Sequence, residues 1–137
     1  MPEEKHRVVI DTNLWISFLL TRDFSKLDRL MSADRATLLL NQELLEEIVE
    51  VAERPKFRKY FDLLELSDLL VNLKQKVELV QVSSQVSVCR DDKDNFLLSL
   101  ALDGAATHVL TGDKDLLVLH LFGEVQILTI AEYLSKQ

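Results

Sequence analysis

The sequence predicts an α/β protein in which a mostly parallel, five-stranded sheet lies between helices in a three-layer α/β/α arrangement. Two observations predict this fold class. Short β-branched or apolar segments alternate with segments whose apolar residues recur at helical spacing, which is typical of a parallel sheet joined by helical crossovers. The chain also contains no internal repeat, low-complexity tract or linker. We therefore expect residues 1–137 to form one domain of ordinary size.

The predicted elements follow one another in the order that such a fold requires. In the first half, we expect a strand at residues 7–10, helical spacing to about residue 32 with a break near residues 21–25, a strand at residues 37–40 and an amphipathic helix at residues 42–53. In the second half, we expect a helix at residues 63–76, strands at residues 77–82, 108–110 and 125–128, and helices at residues 94–102, 114–121 and 130–135. Pro55 is expected to end the amphipathic helix, and Gly104 is expected to be the C′ glycine of the helix before the fourth strand.

Composition and charge limit the classes of function. With 47% hydrophobic and 28% charged residues, the chain has enough apolar material for a core without disulfides or a structural metal. The net charge of −7 argues against broad electrostatic attraction to nucleic acid, because phosphate contacts need Lys and Arg. That objection weakens if much of the acidity is concentrated at a site that a divalent metal ion neutralises.

The sequence favours a cytoplasmic location. The segment MPEEKHRVVIDTN carries charges where a signal peptide has its apolar core, and apolar runs such as residues 38–40 are far short of the ~20 residues that a membrane span requires. Cys89 is the one cysteine of the chain, so an internal disulfide is excluded, as expected in a reducing compartment. We expect Cys89 to be a small core residue.

Carboxylates directly follow two of the predicted strands. Asp11 comes after the first strand, and Asp113 comes after the fourth strand through a glycine turn. The carboxyl ends of parallel strands meet at one edge of the sheet, where such folds bind ligands. Each aspartate also precedes a predicted helix, where Asp is a favoured N-cap residue. Either position alone leaves both interpretations open, a helix cap or a functional carboxylate.

A third group of acids, Asp91, Asp92 and Asp94, lies at the start of the helix that precedes the fourth strand. One side chain is enough to cap the first free N–H groups, so three acids exceed what capping needs. Their mutual repulsion is costly without a cation. This cluster is therefore a stronger sign of a cation site than either strand-end aspartate.

The amphipathic helix at residues 42–53 contributes a fourth candidate. Most of its acids are expected to form a solvated face. At 100° per residue, Glu47 falls beside Leu44 and Val51 at the border of the buried face, whereas Glu46 lies on the far side. An acid at that border stays close to the body of the protein and can point at a shared site. We therefore favour Glu47 over Glu46 as a functional residue.

A metal site is predicted from four acids taken together: Asp11, Glu47, Asp94 and Asp113. Several carboxylates without interleaved Lys or Arg form a hard-oxygen site, suited to Mg²⁺ or Mn²⁺ rather than zinc. Such a site can activate water and bind the oxygens of a phosphodiester. Asn13 and Thr111 are candidates to orient the carboxylates, with helix capping as the alternative role for both.

Three stretches of the sequence resemble the PIN-domain family and, within it, the toxins of toxin–antitoxin modules. They are VVIDTNLWISFLL, ELLEEIVEVAERPKF and DDKDNFLLSLALDGAATHVLTGDKDLL, and they cover nearly the whole chain in the family's order. The resemblance implies a five-stranded parallel sheet between helices and a Mg²⁺- or Mn²⁺-dependent endonuclease that cleaves single-stranded RNA. It also implies a cognate antitoxin protein and a second copy of the chain as partners.

Carried over by position, the resemblance assigns roles to individual residues. It makes Asp11, Glu47, Asp94 and Asp113 the metal-binding and catalytic acids. It puts Asn13, Thr111 and Asp115 at supporting positions. This chain has Asp91-Asp92 where relatives commonly carry Asp-Pro, which makes Asp91 a candidate for an extra ligand.

Basic residues are concentrated directly after the acidic helix. The candidate RNA-binding cations are Arg54, Lys56, Arg58 and Lys59, and the aromatic residues among them are Phe57, Tyr60 and Phe61. This composition is typical of a groove that tracks a nucleic-acid backbone and stacks bases. The alternative is a solvated turn whose aromatic side chains pack on the core.

Two other functions stay open for such a chain. A PIN-like fold can act as a protein-binding module with little turnover, although the presence of all four acids argues against loss of activity. An active nuclease of this kind can also serve in RNA processing or RNA turnover rather than as a toxin.

Overall fold

Five parallel strands and eight α-helices make up the part of the chain that the computed structural model describes, which is residues 5–32, 36–60 and 62–136. The elements in chain order are β1 (His6–Ile10), α1 (Thr12–Thr21), α2 (Ser25–Met31), β2 (Ala36–Leu40), α3 (Gln42–Ala52), α4 (Pro55–Arg58), α5 (Leu63–Asn72), a 3₁₀ turn (Lys74–Lys76), β3 (Val77–Leu79), α6 (Asp92–Asp103), β4 (His108–Leu110), α7 (Lys114–Leu117), β5 (Gln126–Leu128) and α8 (Ile130–Ser135). None of these helices is both long and apolar enough to cross a membrane.

All neighbouring strands of the sheet run parallel, in the order β3-β2-β1-β4-β5. The chain builds outward from β1 to β2 and β3, and then returns to place β4 and β5 on the other side of β1. The reversal lies between β1 and β4, and open α/β sheets bind ligands beyond the carboxyl ends of the strands at such a switch point. The predicted fold class, a three-layer α/β/α arrangement with a parallel sheet, is confirmed.

Helices cover the sheet, so its central strands are buried on both faces. Val9 of β1 and Val109 of β4 are inaccessible to solvent. Helix α6 packs on β1 and β2, helix α2 packs on β2 and α8, and helix α1 packs on α3. A cluster of buried apolar side chains joins these elements in one core. This packing holds the carboxyl ends of β1 and β4 in fixed positions relative to α3 and α6.

The predicted break in the first helical region lies at Arg22, between α1 and α2. Arg22 has a φ of 54°, a left-handed conformation that is uncommon for residues with a side chain. Its guanidinium donates to the backbone carbonyl oxygen of Tyr60 at 3.0 Å and pairs with Glu65. These contacts fix the break against the chain segment that leads into α5.

The end of α6 differs from the prediction. Gly104 has a φ of −88°, and Ala105 occupies the left-handed C′ position instead, with a φ of 52°. The backbone N–H of Ala105 donates to the carbonyl oxygen of Leu102, as in a Schellman motif. A Cβ at position 104 would lie 2.8 Å from Cδ1 of Leu39. Close packing against β2, and not a left-handed backbone, therefore explains the glycine.

Strand β3 ends at Leu79, three residues before the predicted end, because its partner β2 ends at Leu40. The N–H of Val80 still donates to the carbonyl oxygen of Leu40, and from Ser83 onwards the backbone donates to side chains of α6. The N–H groups of Ser83 and Ser84 both donate to Oδ2 of Asp103. The segment between β3 and α6 is thereby tied along α6 and leads directly to the acids at the start of that helix.

Other helices also differ from the prediction. The helix expected at residues 63–76 ends at Asn72 and is followed by the 3₁₀ turn Lys74–Lys76. Helix α6 begins at Asp92 rather than residue 94, because the side chain of Asp91 caps it. Helix α7 ends at Leu117 rather than residue 121, since Nδ1 of His120 accepts the N–H of Ile127 and draws the chain towards β5. Helix α4 was not predicted. Pro55 begins a new turn as well as ending α3, because its fixed φ suits the first position of a helix.

Candidate active site

A cavity of about 200 Å³ opens at the carboxyl ends of β1 and β4, at the switch point of the sheet. Its wall contains the five acids Asp11, Glu47, Asp91, Asp94 and Asp113. They come from the ends of β1 and β4, from the middle of α3 and from the start of α6. The fold thus brings the four predicted metal-binding acids, and the candidate extra ligand, to one wall.

Asp11 directly follows β1 and is 6% exposed. The Thr111 hydroxyl donates to Oδ2 of Asp11 at 2.7 Å, and the backbone N–H of Asn13 donates to Oδ1 at 3.3 Å. Burial raises the pKa of Asp11 above its ordinary value, these hydrogen bonds offset part of the rise, and the charges of Asp113 and Glu47 add to it. Asp11 both caps α1 and lines the cavity, so the two interpretations from the sequence are compatible.

Thr111 connects the two strand-end aspartates. It is 1% exposed, donates to Asp11 as described, and accepts the backbone N–H of Asp113 at 3.0 Å. Asp113 in turn caps α7 by accepting the N–H of Asp115 at 2.9 Å. The position predicted to support the carboxylates therefore links the carboxylate of Asp11 to the backbone of Asp113.

Asp94 lies in the first turn of α6 and is 6% exposed. Burial, the charge of Asp113 and a hydrogen bond with that carboxyl group raise the pKa of Asp94 to about 7. A hydrogen bond between two carboxyl groups requires a proton on one of them, and with a pKa of about 7 Asp94 carries a proton in about half of the molecules at pH 7. Full ionisation of the acids in the cavity is therefore unfavourable unless a proton or a cation reduces their negative charge.

Glu47 lies at the border of the buried face of α3, as the helical wheel predicts. Its side chain is 18% exposed, whereas Glu46 is exposed. The hydroxyl of buried Thr12 donates to Oε2 of Glu47 at 2.5 Å, and Nζ of Lys93 lies 3.3 Å from Oε1. Thr12 was missed at the sequence level, although a threonine directly after a strand-end aspartate is a recognisable signal.

The expectation of a site without basic residues was wrong. Lys93 and Arg54 both line the cavity. Lys93 lies between Asp92 and Asp94 in the sequence, so the acidic cluster itself contained this cation. Arg54 pairs with Glu50 at 3.9 Å, one turn back along α3. The cavity is thus acidic with two basic residues on its wall.

Two of the predicted supporting residues have other partners. The carboxylate of Asp115 pairs with Arg90 at 2.9 Å, outside the cavity wall. Asp91 lines the cavity but also caps α6, where it accepts the N–H of Lys93 at 2.9 Å. Asn13 has an exposed side chain at the wall, and its backbone is the part that contacts Asp11.

The four predicted RNA-binding cations lie at α4 and beside it, and all are exposed: Arg54, Lys56, Arg58 and Lys59. Nζ of Lys56 lies 5.0 Å from the ring centroid of Phe57, and Nζ of Lys59 lies 5.2 Å from that of Tyr60. Phe57 packs partly against the core, while Tyr60 is 50% exposed. Phe61 lies outside the described residues. The patch therefore combines a packed aromatic ring with an accessible one.

The donor chemistry of the cavity fits a hard divalent cation. Carboxylate oxygens are the ligands that Mg²⁺ takes in proteins, and Mn²⁺ suits the same donors. Within residues 5–32, 36–60 and 62–136, no three Asp, Glu, His or Cys side chains form a ready-made coordination set. Glu47 is held by Thr12 and Lys93, and Asp94 by Asp113, so these acids would have to exchange partners to bind an ion together.

Comparison with known proteins identifies the family of this chain. A family model described as the PIN domain matches residues 7–115, which include every acid of the cavity wall. The chain belongs to the PIN-domain family. This PIN domain is also 30% identical over 122 residues to the uncharacterized protein MJ1680 of Methanocaldococcus jannaschii, and the alignment covers 87% of this chain and 78% of that protein.

Membership of the family indicates a nuclease-type function, because PIN domains are usually nucleases. It also indicates a nucleic acid as the class of partner. PIN nucleases typically use divalent metals, in agreement with the donor chemistry of the cavity. The family predicted from the three sequence stretches is thus confirmed at the level of the PIN domain.

Proposed function

We propose that this PIN domain is a Mg²⁺- or Mn²⁺-dependent endoribonuclease that cleaves single-stranded RNA. The observation that carries the proposal is the arrangement of Asp11, Glu47, Asp94 and Asp113 on the wall of one cavity at the switch point of the sheet. Asp94 keeps a proton there that a cation would displace, because its pKa is raised to about 7. Membership of the PIN-domain family supports phosphodiester hydrolysis as the reaction.

The four acids are the groups that would hold the ion. A bound divalent cation supplies the charge that activates water and neutralises a phosphodiester. The chain's own contribution is positioning: Thr111 fixes Asp11 and the backbone of Asp113, and Thr12 fixes Glu47. A cation held by these groups would displace the proton of Asp94 to solvent, because carboxylates bind metal ions in their ionised form.

Helix dipoles favour three of the five acids on the cavity wall. Asp11, Asp91 and Asp113 are the N-cap residues of α1, α6 and α7, so three helices begin at the cavity. The first N–H groups of a helix carry partial positive charge, which favours carboxylates placed there. This arrangement reduces the repulsion among the acids, and each of the three caps accepts a helix N–H group on its Oδ1.

RNA is proposed to bind next to the cavity, along Arg54, Lys56, Arg58 and Lys59. Arg54 supports this path because it lines the cavity itself. The half-exposed ring of Tyr60 offers a surface on which a base can stack, and stacking is available only in an unpaired strand. A single strand is therefore the substrate that suits this surface.

The cleavage reaction tests this proposal directly. Purified protein is incubated with end-labelled single-stranded RNA in Mn²⁺, in Mg²⁺ or in EDTA, beside Asp11→Asn. Asp28→Asn is the matched control, because Asp28 is an exposed acid of α2. We expect cleavage by the wild type and the control in either metal, and none in EDTA or with Asp11→Asn. Cleavage that survives both EDTA and Asp11→Asn would contradict the proposal.

We further propose that the chain is the toxin of a toxin–antitoxin module and meets a cognate antitoxin protein. The sequence resemblance to that group supports the role. An apolar cavity of about 490 Å³ between α3, α5 and the edge strand β3 offers surface for a protein partner or a second copy of the chain. Expression of the wild type in its host should then arrest growth, and Asp11→Asn should not. Normal growth with an active enzyme would favour RNA processing.

The same apolar cavity also favours the second candidate function, a protein-binding module with little turnover. Its lining includes Leu45 and Val49 of α3 and Leu66 and Leu70 of α5. The cleavage experiment separates the two candidates. Absence of RNA cleavage by the wild type in every metal would favour the binding module over the nuclease.

A further inference from the structure

Both carboxylate oxygens of Glu47 have protein partners in this structure. The Thr12 hydroxyl donates to Oε2 at 2.5 Å, and the ammonium group of Lys93 lies 3.3 Å from Oε1. A cation held by Glu47 on the cavity side therefore has to displace, or share an oxygen with, one of these two partners.

The two partners differ in how easily they can leave. Thr12 is 5% exposed, and its hydroxyl sits on a short side chain at the first residue of α1. The side chain of Lys93 is 57% exposed, and its ammonium group is carried on a flexible four-carbon stem. A divalent ion also repels an ammonium group, whereas it does not repel a hydroxyl. Lys93 is therefore the partner that gives way.

A second acidic surface lies beside Lys93 and can receive it. Lys93 and Glu47 both line the cavity and also an adjoining groove between α3 and α6, whose other lining residues are Glu43, Glu46, Glu50, Asp92 and Phe96. The ammonium group can move from Glu47 to these exposed carboxylates without losing ionic partners. Its backbone remains in place, because its N–H donates to Oδ1 of Asp91 at 2.9 Å.

We propose that Lys93 is an internal counter-ion that competes with the divalent cation for Glu47. The proposal rests on the metal-dependent function proposed above and deepens it. At low metal concentration, Lys93 occupies Oε1 of Glu47 and keeps the four acids from acting together. When the ion binds, Lys93 moves to the adjoining groove and Glu47 turns to the ion. Lys93 is thus a positioning residue that sets the metal concentration at which the enzyme becomes active.

The affinity for Mn²⁺ in the absence of RNA tests this role. Calorimetric titration of the full chain compares the wild type with Lys93→Met, Lys93→Arg and Arg54→Met. We expect Lys93→Met to lower the Kd for Mn²⁺ roughly three- to tenfold, the range that a half-exposed ion pair can contribute. Lys93→Arg should stay within about twofold of the wild type, because an arginine can keep the pair.

Arg54→Met is the matched control, because it removes one positive charge from the same cavity wall without touching Glu47. It should change the Kd for Mn²⁺ by no more than about twofold, as expected for an exposed charge that is not paired with a ligand. Equal tightening by Arg54→Met and Lys93→Met would mean a general effect of charge and would overturn the counter-ion role. So would an unchanged or weaker affinity in Lys93→Met.

The same titration distinguishes failure of the proposed nuclease function from failure of the counter-ion role of Lys93. Wild-type protein that binds no Mn²⁺ would contradict the metal-dependent nuclease, and with it the counter-ion. Wild-type protein that binds Mn²⁺, with Asp94→Asn unable to do so and Lys93→Met no tighter, would contradict the counter-ion alone. Thermal unfolding of each variant verifies that the exposed substitutions leave the fold intact.

Discussion

Asp94 shows most clearly that bringing the acids together disfavours their ionised forms. It is 6% exposed and hydrogen-bonded to Asp113, and its pKa rises from 3.8 to about 7. The folded protein therefore stabilises the protonated form of this group. A divalent cation competes with that proton, so metal affinity should increase as the pH rises through about 7.

We expect Asp94→Asn to raise the free energy of unfolding in EDTA at pH 8 by about 1 kcal/mol or more, since one pKa unit corresponds to about 1.4 kcal/mol. The pKa of Asp94 is higher in the folded protein than in the unfolded chain. The stability that protonated Asp94 contributes is therefore fully present below about pH 4 and is lost as the pH rises through about 7. The advantage of the variant should therefore disappear near pH 4. Urea unfolding at pH 4, 6 and 8 measures this, and an advantage independent of pH would exclude charge repulsion as its cause.

The sequence was sufficient to predict the acids of the cavity but not their partners. Asp11 and Asp113 follow strands, and Glu47 lies at the border of an amphipathic face, so local patterns reveal them. The Thr12 hydroxyl reaches Glu47 across 35 positions of the chain, a contact that depends on how α1 packs against α3. The pairing of Lys93 with the same carboxylate depends likewise on the approach of α6 to α3.

At the scale of the elements, α3 presents its acids in two environments. Its buried face packs through Leu44, Ile48 and Val51, which turns Glu47 towards the cavity and leaves Glu46 in solvent. Glu46 accepts a hydrogen bond from Gln42 of its own helix, at 3.1 Å. Neighbouring glutamates of one helix thus form a matched pair for mutagenesis.

Glu47→Gln should lower kcat/KM for cleavage of single-stranded RNA in Mn²⁺ by about 100-fold or more, a loss of roughly 2.7 kcal/mol in the barrier. Glu46→Gln removes the same charge one residue away and should stay within about twofold, because exposed charges contribute little. Initial cleavage rates at subsaturating RNA measure both values. Similar losses of kcat/KM in the two variants would contradict a specific role for Glu47 at the border of the buried face of α3.

Helix α4 carries the prediction for RNA binding. Arg54→Ala combined with Lys56→Ala should weaken the binding of single-stranded RNA and reduce the salt dependence, by roughly 0.7 in slope for each lost phosphate contact. Lys26→Ala combined with Arg29→Ala removes two exposed cations from α2 and serves as the control. Fluorescence anisotropy with labelled RNA over a range of salt gives the slopes. Equal slopes for the wild type and the α4 variant would remove this patch from the substrate path.

Element types could be predicted better than element ends. Strands β1, β2, β4 and β5 are short apolar runs between helical segments, which indicates their type, and the apolar spacing of α3 also indicates its buried face. The wrong ends at β3 and α7 depend on contacts with distant parts of the chain. Strand β3 ends where its partner β2 ends, at Leu40, and the segment after α7 is held to β5 by the hydrogen bond from Ile127 to His120.

At the scale of the whole molecule, titratable groups lie at both edges of the sheet. The acids lie at the carboxyl edge, and His6, His108 and Tyr133 form an aromatic cluster at the amino edge. His108 is 5% exposed, and burial, with the charges of His6 and Lys136, lowers its pKa to about 4. The alternation of strands and helices predicted the layers, whereas the imidazole cluster depends on strand pairing and could not be predicted.

His108 should make the protein less stable in acid. Its folded-state pKa of about 4 lies below the ordinary value of 6.5. Between these pH values the unfolded chain has a protonated His108, whereas the folded protein keeps it neutral. Stability contributed by neutral His108 is complete above about pH 6.5 and falls as the pH drops towards 4. His108→Gln should flatten this dependence by up to about 1.4 kcal/mol per pH unit. Urea unfolding between pH 4 and 7 measures the slopes, and identical slopes would contradict the role of His108.

The central claim is that the cavity at the carboxyl ends of β1 and β4 is the metal centre of a nuclease. A crystal of the wild-type protein soaked in Mn²⁺, with data collected at the manganese absorption edge, tests this most directly. We predict an anomalous peak in the cavity, bonded to carboxylate oxygens of Asp11, Asp94 and Asp113, with Glu47 turned from Lys93 towards the ion. Manganese bound elsewhere on the molecule, with this cavity still holding Glu47 paired to Lys93, would contradict the account.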